Sequence, residues 1–295
     1  MGIKALQAPV EQITFTPVVF ENKDSHLKLA GIVYAPRNMK ADDKLPAVIV
    51  QGPMGAVKEQ CQTLYAQFLV SQGYIAMVYD YSYIGASEGL PRGYEDPEVK
   101  ASDILSAAEF FSNYPNVDAN RMAAVGICGS GVYLPLAMLQ ESKIKAFVSV
   151  NPFTVIDTVP YDAEQIERDR AEFEAGGDAR RIPNMIEPDS EGAEYYFNAE
   201  RGSVTNQVSF VTWSVPTWAK FHPTEIVKGL TKPYLVVVGE NAFTRPGAEV
   251  MFANIGSQDK QLVVIPGARH FDMYDGEGFA DKSIAAIVEF LREKL

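Results

Sequence analysis

The stretch Met122-Ala123-Ala124-Val125-Gly126-Ile127-Cys128-Gly129-Ser130-Gly131-Val132-Tyr133-Leu134 constrains the fold of this chain more than any other. An apolar run ends at Gly126, a cysteine follows two residues later, and a helix-prone segment begins after Gly129-Ser130-Gly131. That order reads as a strand, a sharp turn and a helix, with Cys128 at the apex. A side chain displayed on such a turn sits on strained backbone, and the residues two places to either side must be small or they collide. Gly126 and Ser130 meet that demand around Cys128, whereas Ser130 itself is followed two places later by Val132. The register therefore selects Cys128, and not Ser130, as the displayed nucleophile.

The pattern resembles the nucleophile elbow, G-x-S-x-G, of the α/β-hydrolase superfamily. With cysteine at its centre it is similar to a Cys-elbow branch that includes dienelactone-hydrolase-like proteins and fungal polyketide transferases and thiohydrolases. One departure is visible: Ser130 stands where the simplest motif has Gly, and Gly131 follows directly. The competing reading of the turn alone is a Gly-rich connection around a buried thiol, because free cysteine often serves as a small hydrophobe.

The rest of the chain supplies a matching context. Residues 11–20 and 27–35 alternate as strands joined by a polar turn, which predicts an antiparallel hairpin, and His26 falls in or beside that turn as a solvated residue. Residues 46–51, 74–79 and 145–150 are short apolar runs, as expected of strands buried on both faces of a parallel sheet. Helical spacing follows the first of them from Val57 to Leu69, with Cys61 on the apolar stripe, and recurs over 97–113. The elbow helix, 131–140, contains Pro135, which predicts a kink or a late start. Further strands are expected at 233–238 and 261–265, with helices over 246–255 and after residue 280. This alternation predicts an α/β fold. Together with the resemblance it implies an α/β-hydrolase fold: a mostly parallel, doubly wound sheet with an N-terminal antiparallel hairpin and a helical cap insertion.

Residues 152–222 break the strand-helix rhythm and carry Tyr195, Tyr196, Phe197, Trp213, Trp218 and Phe221. A connection of that length inside a domain is usually functional. The expected organisation is a core of 1–151 and 223–295 with 152–222 as the cap, the usual seat of substrate selectivity in the superfamily.

Three further site assignments follow from the resemblance. Pro266-Gly267-Ala268-Arg269-His270 is similar to the loop that delivers the catalytic histidine, which makes His270 the base. Gly52-Pro53-Met54-Gly55 occupies the oxyanion turn. Pro53 has no N–H to donate, so Met54 and Gly129 are the expected donor pair. The carboxylate is less well supplied, because its usual place holds Ala242; Glu240 is the expected acid, with Asp272 or a bare Cys-His dyad as the alternatives. Asp80, followed by Tyr81 to Gly89, resembles a loop-ordering carboxylate rather than a catalytic one.

The net charge of −12 argues against nucleic acid and anionic membrane surfaces, which attract proteins through Lys and Arg. Neither a secretory signal nor a run of transmembrane length is expected. Two cysteines without a paired or metal-like spacing suit a reducing, cytoplasmic setting, with no metal and no cofactor. A small-molecule acyl substrate fits best. Cysteine also favours good leaving groups, because a thiolate departs from a tetrahedral adduct more readily than an alkoxide. The expected reaction is hydrolysis or transfer of an activated ester, lactone or thioester through an acyl-cysteine. The missing carboxylate at residue 242 keeps a non-catalytic ligand-binding member of the superfamily as the alternative.

Overall fold

The structure, a computed structural model, describes residues 4–140, 142–154, 160–183, 185–204 and 209–295. Eight strands form one sheet: β1 (Ile13–Glu21), β2 (Lys28–Pro36), β3 (Leu45–Gln51), β4 (Ile75–Tyr79), β5 (Val117–Ile127), β6 (Ile144–Val150), β7 (Tyr234–Gly239) and β8 (Lys260–Ile265). Their order is β1-β2-β4-β3-β5-β6-β7-β8. β1 and β2 pair antiparallel as the expected hairpin, β2 pairs antiparallel with β4, and every pairing from β4 to β8 is parallel. His26 is exposed in the hairpin turn, with Nδ1 2.7 Å from Glu21 Oε1.

Ten α-helices complete the described chain: α1 (Cys61–Ser71), α2 (Pro97–Ser112), α3 (Ser130–Met138), α4 (Ala163–Glu174), α5 (Glu191–Tyr196), α6 (Val215–Ala219), α7 (Pro223–Ile226), α8 (Arg245–Asn254), α9 (Asp272–Asp275) and α10 (Ala280–Lys294). The strand alternation sends side chains to two cores. Val48 and Val50 of β3 pack with Tyr65 and Leu69 of α1 and Ile287 and Leu291 of α10. Ala47 and Ile49 join the other face, which α2, α3 and α8 cover with Ile104, Leu134 and Met251 among others. Every residue of β4 and β7 is buried, as both covered faces require.

Two local expectations change. The helix after β3 starts at Cys61, not near Val57, because the Lys58 N–H is drawn away to the Asp80 carboxylate at 2.7 Å. The elbow helix starts at Ser130 with Pro135 inside it. Proline frees the carbonyl four residues back, and the Ser149 hydroxyl donates to that Gly131 carbonyl at 2.6 Å.

Between β6 and β7 the described residues form helices and turns and no sheet strand, as the interrupted rhythm predicts. Residues 155–159, 184 and 205–208 of the expected cap lie outside the described set. Among the described residues no helix is long and apolar enough to cross a membrane.

Candidate active site

Cys128 lies between the end of β5 and the start of α3 with φ +56°, a backbone region that costs a non-glycine residue of order 1–3 kcal/mol. The turn is as crowded as its small flanking residues imply. A Cβ on Gly126 would stand 2.3 Å from the Ser130 carbonyl oxygen. Ser130 is tolerated because its hydroxyl has work of its own: it donates to the Gly52 carbonyl and meets the Tyr81 hydroxyl at 2.9 Å. The start of α3 is thereby tied to the turn after β3.

That tie brings Met54 against Gly129. A Cβ on Gly129 would meet the Met54 nitrogen at 2.7 Å, and the N–H groups of both residues favour the Cys128 anion. Two backbone donors are thereby brought close together beside Cys128. Asp80 supports them from behind: it accepts from the Lys58 and Ala86 N–H groups and pairs with the Lys58 ammonium at 2.7 Å. It orders this loop, as its place in the sequence implies.

His270 lies in the loop after β8, fully buried, and its carbonyl accepts from Asn151 Nδ2 at 2.9 Å. Its ring is held at both nitrogens by hydroxyls. Nδ1 lies 3.0 Å from Thr244 Oγ1, and Nε2 lies 3.1 Å from the Tyr274 hydroxyl. The Phe243 ring tilts against the imidazole with centroids 4.5 Å apart.

Neither expected carboxylate reaches the histidine. Glu240 is exposed, and its carboxylate accepts from the Gly267 N–H at 2.8 Å, bracing the turn before the His270 loop. Asp272 is buried but occupied by Arg269, whose backbone N–H and guanidinium lie 2.9 and 3.0 Å from its oxygens. The acid assignment to Glu240 is therefore corrected: the partner of His270 Nδ1 is Thr244. Thr244 and Tyr274 both escaped the sequence reading. The one usable signal was spacing, since Tyr274 stands one helical turn beyond His270.

Burial sets the protonation states. It pushes the Cys128 thiol up to about 11, against the smaller stabilisation from Tyr274 and the two N–H groups. It pulls the His270 imidazole down to about 3. The resting pair is thus a thiol and a neutral imidazole, because burial penalises the charged form of each.

Cys128 and His270 open into a cavity of about 640 Å³. Phe153, Phe210, Phe243 and Phe271 line it together with Met185, Ile186, Tyr196 and Val204 from the segment between β6 and β7. Among the described residues no Asp, Glu, Lys or Arg lines it. α5 is pinned over the histidine loop: Arg269 reaches Glu194 at 2.9 Å, and Arg201 brackets Asp275. Among the described residues no three His, Cys, Asp or Glu side chains gather as a metal site would need.

The sequence model of the family described as "Esterase FrsA-like" matches residues 4–168. The chain belongs to the FrsA-like esterase family. A protein from Pseudomonas aeruginosa, PA2218, is 30% identical over 88% of this chain and 75% of its own length. Its crystal structure superposes on this FrsA-like chain with a TM-score of 0.87, covering 100% of both. A thiohydrolase from Eupenicillium brefeldianum is 25% identical over 81% of this chain and 83% of its own. The α/β hydrolase GrgF from Penicillium sp. sh18, 23% identical, has a TM-score of 0.79 over 95% of this chain and 99% of its own, a likeness of fold. The FrsA-like chain is thus an α/β-hydrolase of esterase type.

Proposed function

We propose that this FrsA-like chain hydrolyses or transfers an activated acyl group, drawn from an ester, a lactone or a thioester, by way of an acyl-cysteine on Cys128. One observation carries the reading: at φ +56° Cys128 stands on the elbow, with the Met54 backbone packed against Gly129 beside it. Sulfur attacks the carbonyl carbon as its proton passes to His270, and the two N–H groups hold the oxyanion. Collapse expels the leaving group, which His270 protonates. Water or another acceptor, deprotonated by His270, then releases the acyl group.

The leaving group must be a good one, because the cysteine thiolate otherwise departs first. An enolate or a thiol meets that condition, and the name thiohydrolase borne by the Eupenicillium relative points the same way. A lining of aromatic and aliphatic side chains with no described charge suits an uncharged, apolar acyl portion. Residues 152–222 act in this reading as the cap that shapes that portion.

A binding protein without turnover is the second reading, and the hydroxyl at His270 Nδ1 in place of a carboxylate favours it. Intact-protein mass after brief exposure to a p-nitrophenyl ester or an N-acetylcysteamine thioester separates the two. Wild type should gain a transient acyl adduct that Cys128→Ala lacks, and His270→Ala, without the base for either step, should acylate far more slowly. Neither adduct nor turnover with both probes would leave only the binding reading.

A further inference from the structure

We propose that Phe210 sets the length of acyl chain that this site accepts, so that the substrate is an ester or thioester bounded on its acyl side and unbounded on its leaving side. The inference rests on the proposed acyl-cysteine at Cys128. Cys128 follows β5, and the sheet order β3-β5-β6-β7 places the turn after β3 on one side of it and the loop after β7 on the other. Three strand spacings, roughly 14 Å, separate those two connections. The Phe210 ring packs on the first, where it meets Gly55, and Phe243 belongs to the second. Both line the cavity, so they flank the thiol from opposite sides.

The two flanks differ in kind. Phe210 is buried, and the backbone around it is held: its carbonyl accepts from the Ile182 N–H at 3.0 Å, and the Val211 N–H donates to the Gly93 carbonyl at 3.1 Å. Its ring stands perpendicular to Trp218 with centroids 5.3 Å apart. Glycine makes room for it at residue 55, where φ is +69° and a Cβ would lie 2.7 Å from Phe210 Cζ. The ring belongs both to the cavity lining and, with Trp218 and Val57, to the core. It cannot swing aside without emptying part of that core, which makes it a fixed wall. On the His270 side the lining is different. Phe243, against the imidazole, and Phe197, next to the Tyr196 that packs on Phe271, are 54% and 55% exposed, so the cavity meets solvent there.

Proton transfer assigns the two ends of the substrate to these flanks. His270 protonates the leaving group, which must therefore stand on the side of the imidazole, beside Phe243. The acyl carbon, bonded to Cys128 Sγ in the intermediate, carries its chain away from the departing atom and toward Phe210. A chain longer than the space before that ring meets a wall, whereas a longer leaving group runs on into water. Each methylene that a closed apolar pocket cannot accommodate costs about 10- to 200-fold in kcat/KM.

Values of kcat/KM for p-nitrophenyl esters from acetyl to dodecanoyl test the wall. In wild type they should climb while added methylenes gain contact and then break, falling about 10-fold or more per further methylene. Phe210→Ala should move the break to longer chains and raise the ratio of the first rejected ester to the acetyl ester by about 10- to 100-fold. Phe210→Leu, which keeps more of the wall, should move it less. Phe243→Ala, whatever it does to the rate through His270, should leave the break in place, and acetyl thioesters of lengthening alkyl thiols should show none. An unmoved break in both Phe210 variants would overturn the inference, as would a break moved by Phe243→Ala alone. Wild type without a break up to dodecanoyl overturns it whether or not the variants fold; should neither Phe210 variant fold, a break in the acyl series with none in the thiol series supports it. No turnover of any ester, acetyl included, is a different result, which removes the acyl-cysteine itself.

Discussion

Thr244 Oγ1 lies 3.0 Å from His270 Nδ1, the contact that a carboxylate makes in a Ser-His-Asp triad. A triad carboxylate has two duties: it fixes the tautomer and orientation of the imidazole, and it stabilises the imidazolium. A neutral hydroxyl can perform only the first. The consequence is a histidine held in one orientation yet with its pKa held down to about 3 by burial.

Replacing Thr244 separates the two duties. Thr244→Val keeps the shape and removes the hydroxyl, so kcat should fall roughly 10- to 100-fold with little change in KM, as an orienting contact implies. Thr244→Asp adds the missing charge and should raise the imidazole pKa. Catalysis needs the neutral imidazole, so the acid limb of the kcat/KM profile should move from below pH 4 toward neutrality in this variant. An unmoved limb would show that Thr244 does not govern His270.

The proposed oxyanion pair, Met54 and Gly129, yields a steric prediction. A Cβ on Gly129 would lie 2.7 Å from the Met54 nitrogen and 2.8 Å from the Met54 Cβ, so the turn carrying Met54 must move in Gly129→Ala. Losing one oxyanion donor typically costs about 10²- to 10³-fold in kcat. Steady-state kinetics of Gly129→Ala should give a loss in that range while KM and the melting temperature stay near wild type. Wild-type kcat in the variant would place the oxyanion elsewhere.

The parts of the site legible in the sequence are those imposed by local sterics. Gly126 and Ser130 had to be small around Cys128, and Pro53, which has no N–H, leaves Met54 as the next residue of that turn with one. His270 was legible through its place after the last strand. Thr244 was not, because a search for a triad acid looks for a carboxylate, and no local rule distinguishes this threonine from its neighbours. The start of α1 was missed for a similar reason: the Lys58 N–H goes to Asp80, 22 residues away. Backbone geometry alone predicts a kink or a late start at Pro135, while its compensation comes from Ser149 on β6.

The contact between Arg201 and Asp275 predicts a loss of stability coupled to the site. The Arg201 and Asp275 side chains are 5% and 10% exposed, and the pair joins the segment after α5 to the helix that carries Tyr274. Removing one partner of a buried pair leaves an uncompensated charge and costs about 3–5 kcal/mol. Arg201→Met should therefore lose most of that in urea unfolding, and Arg201→Met with Asp275→Asn should recover part of it. Additive losses would mean that the two side chains do not act as a pair.

His270 also makes the fold acid-sensitive in a definite direction. Its pKa is 6.5 in its ordinary state and about 3 in the folded chain, because burial penalises the charged ring. Between those values the unfolded chain binds a proton that the native chain refuses, so stability rises with pH and is lost as pH falls below 6.5. The slope from this one group is about 1.4 kcal/mol per pH unit. Carboxylates contribute slopes of their own, but these cancel when wild type is compared with His270→Gln, which has no ring to protonate. Urea unfolding at pH 6.5, 5.5 and 4.5 should therefore show wild type losing stability faster than the variant by roughly that amount per unit. Parallel curves would mean that His270 takes up its proton without unfolding, and that the site opens to water at acid pH.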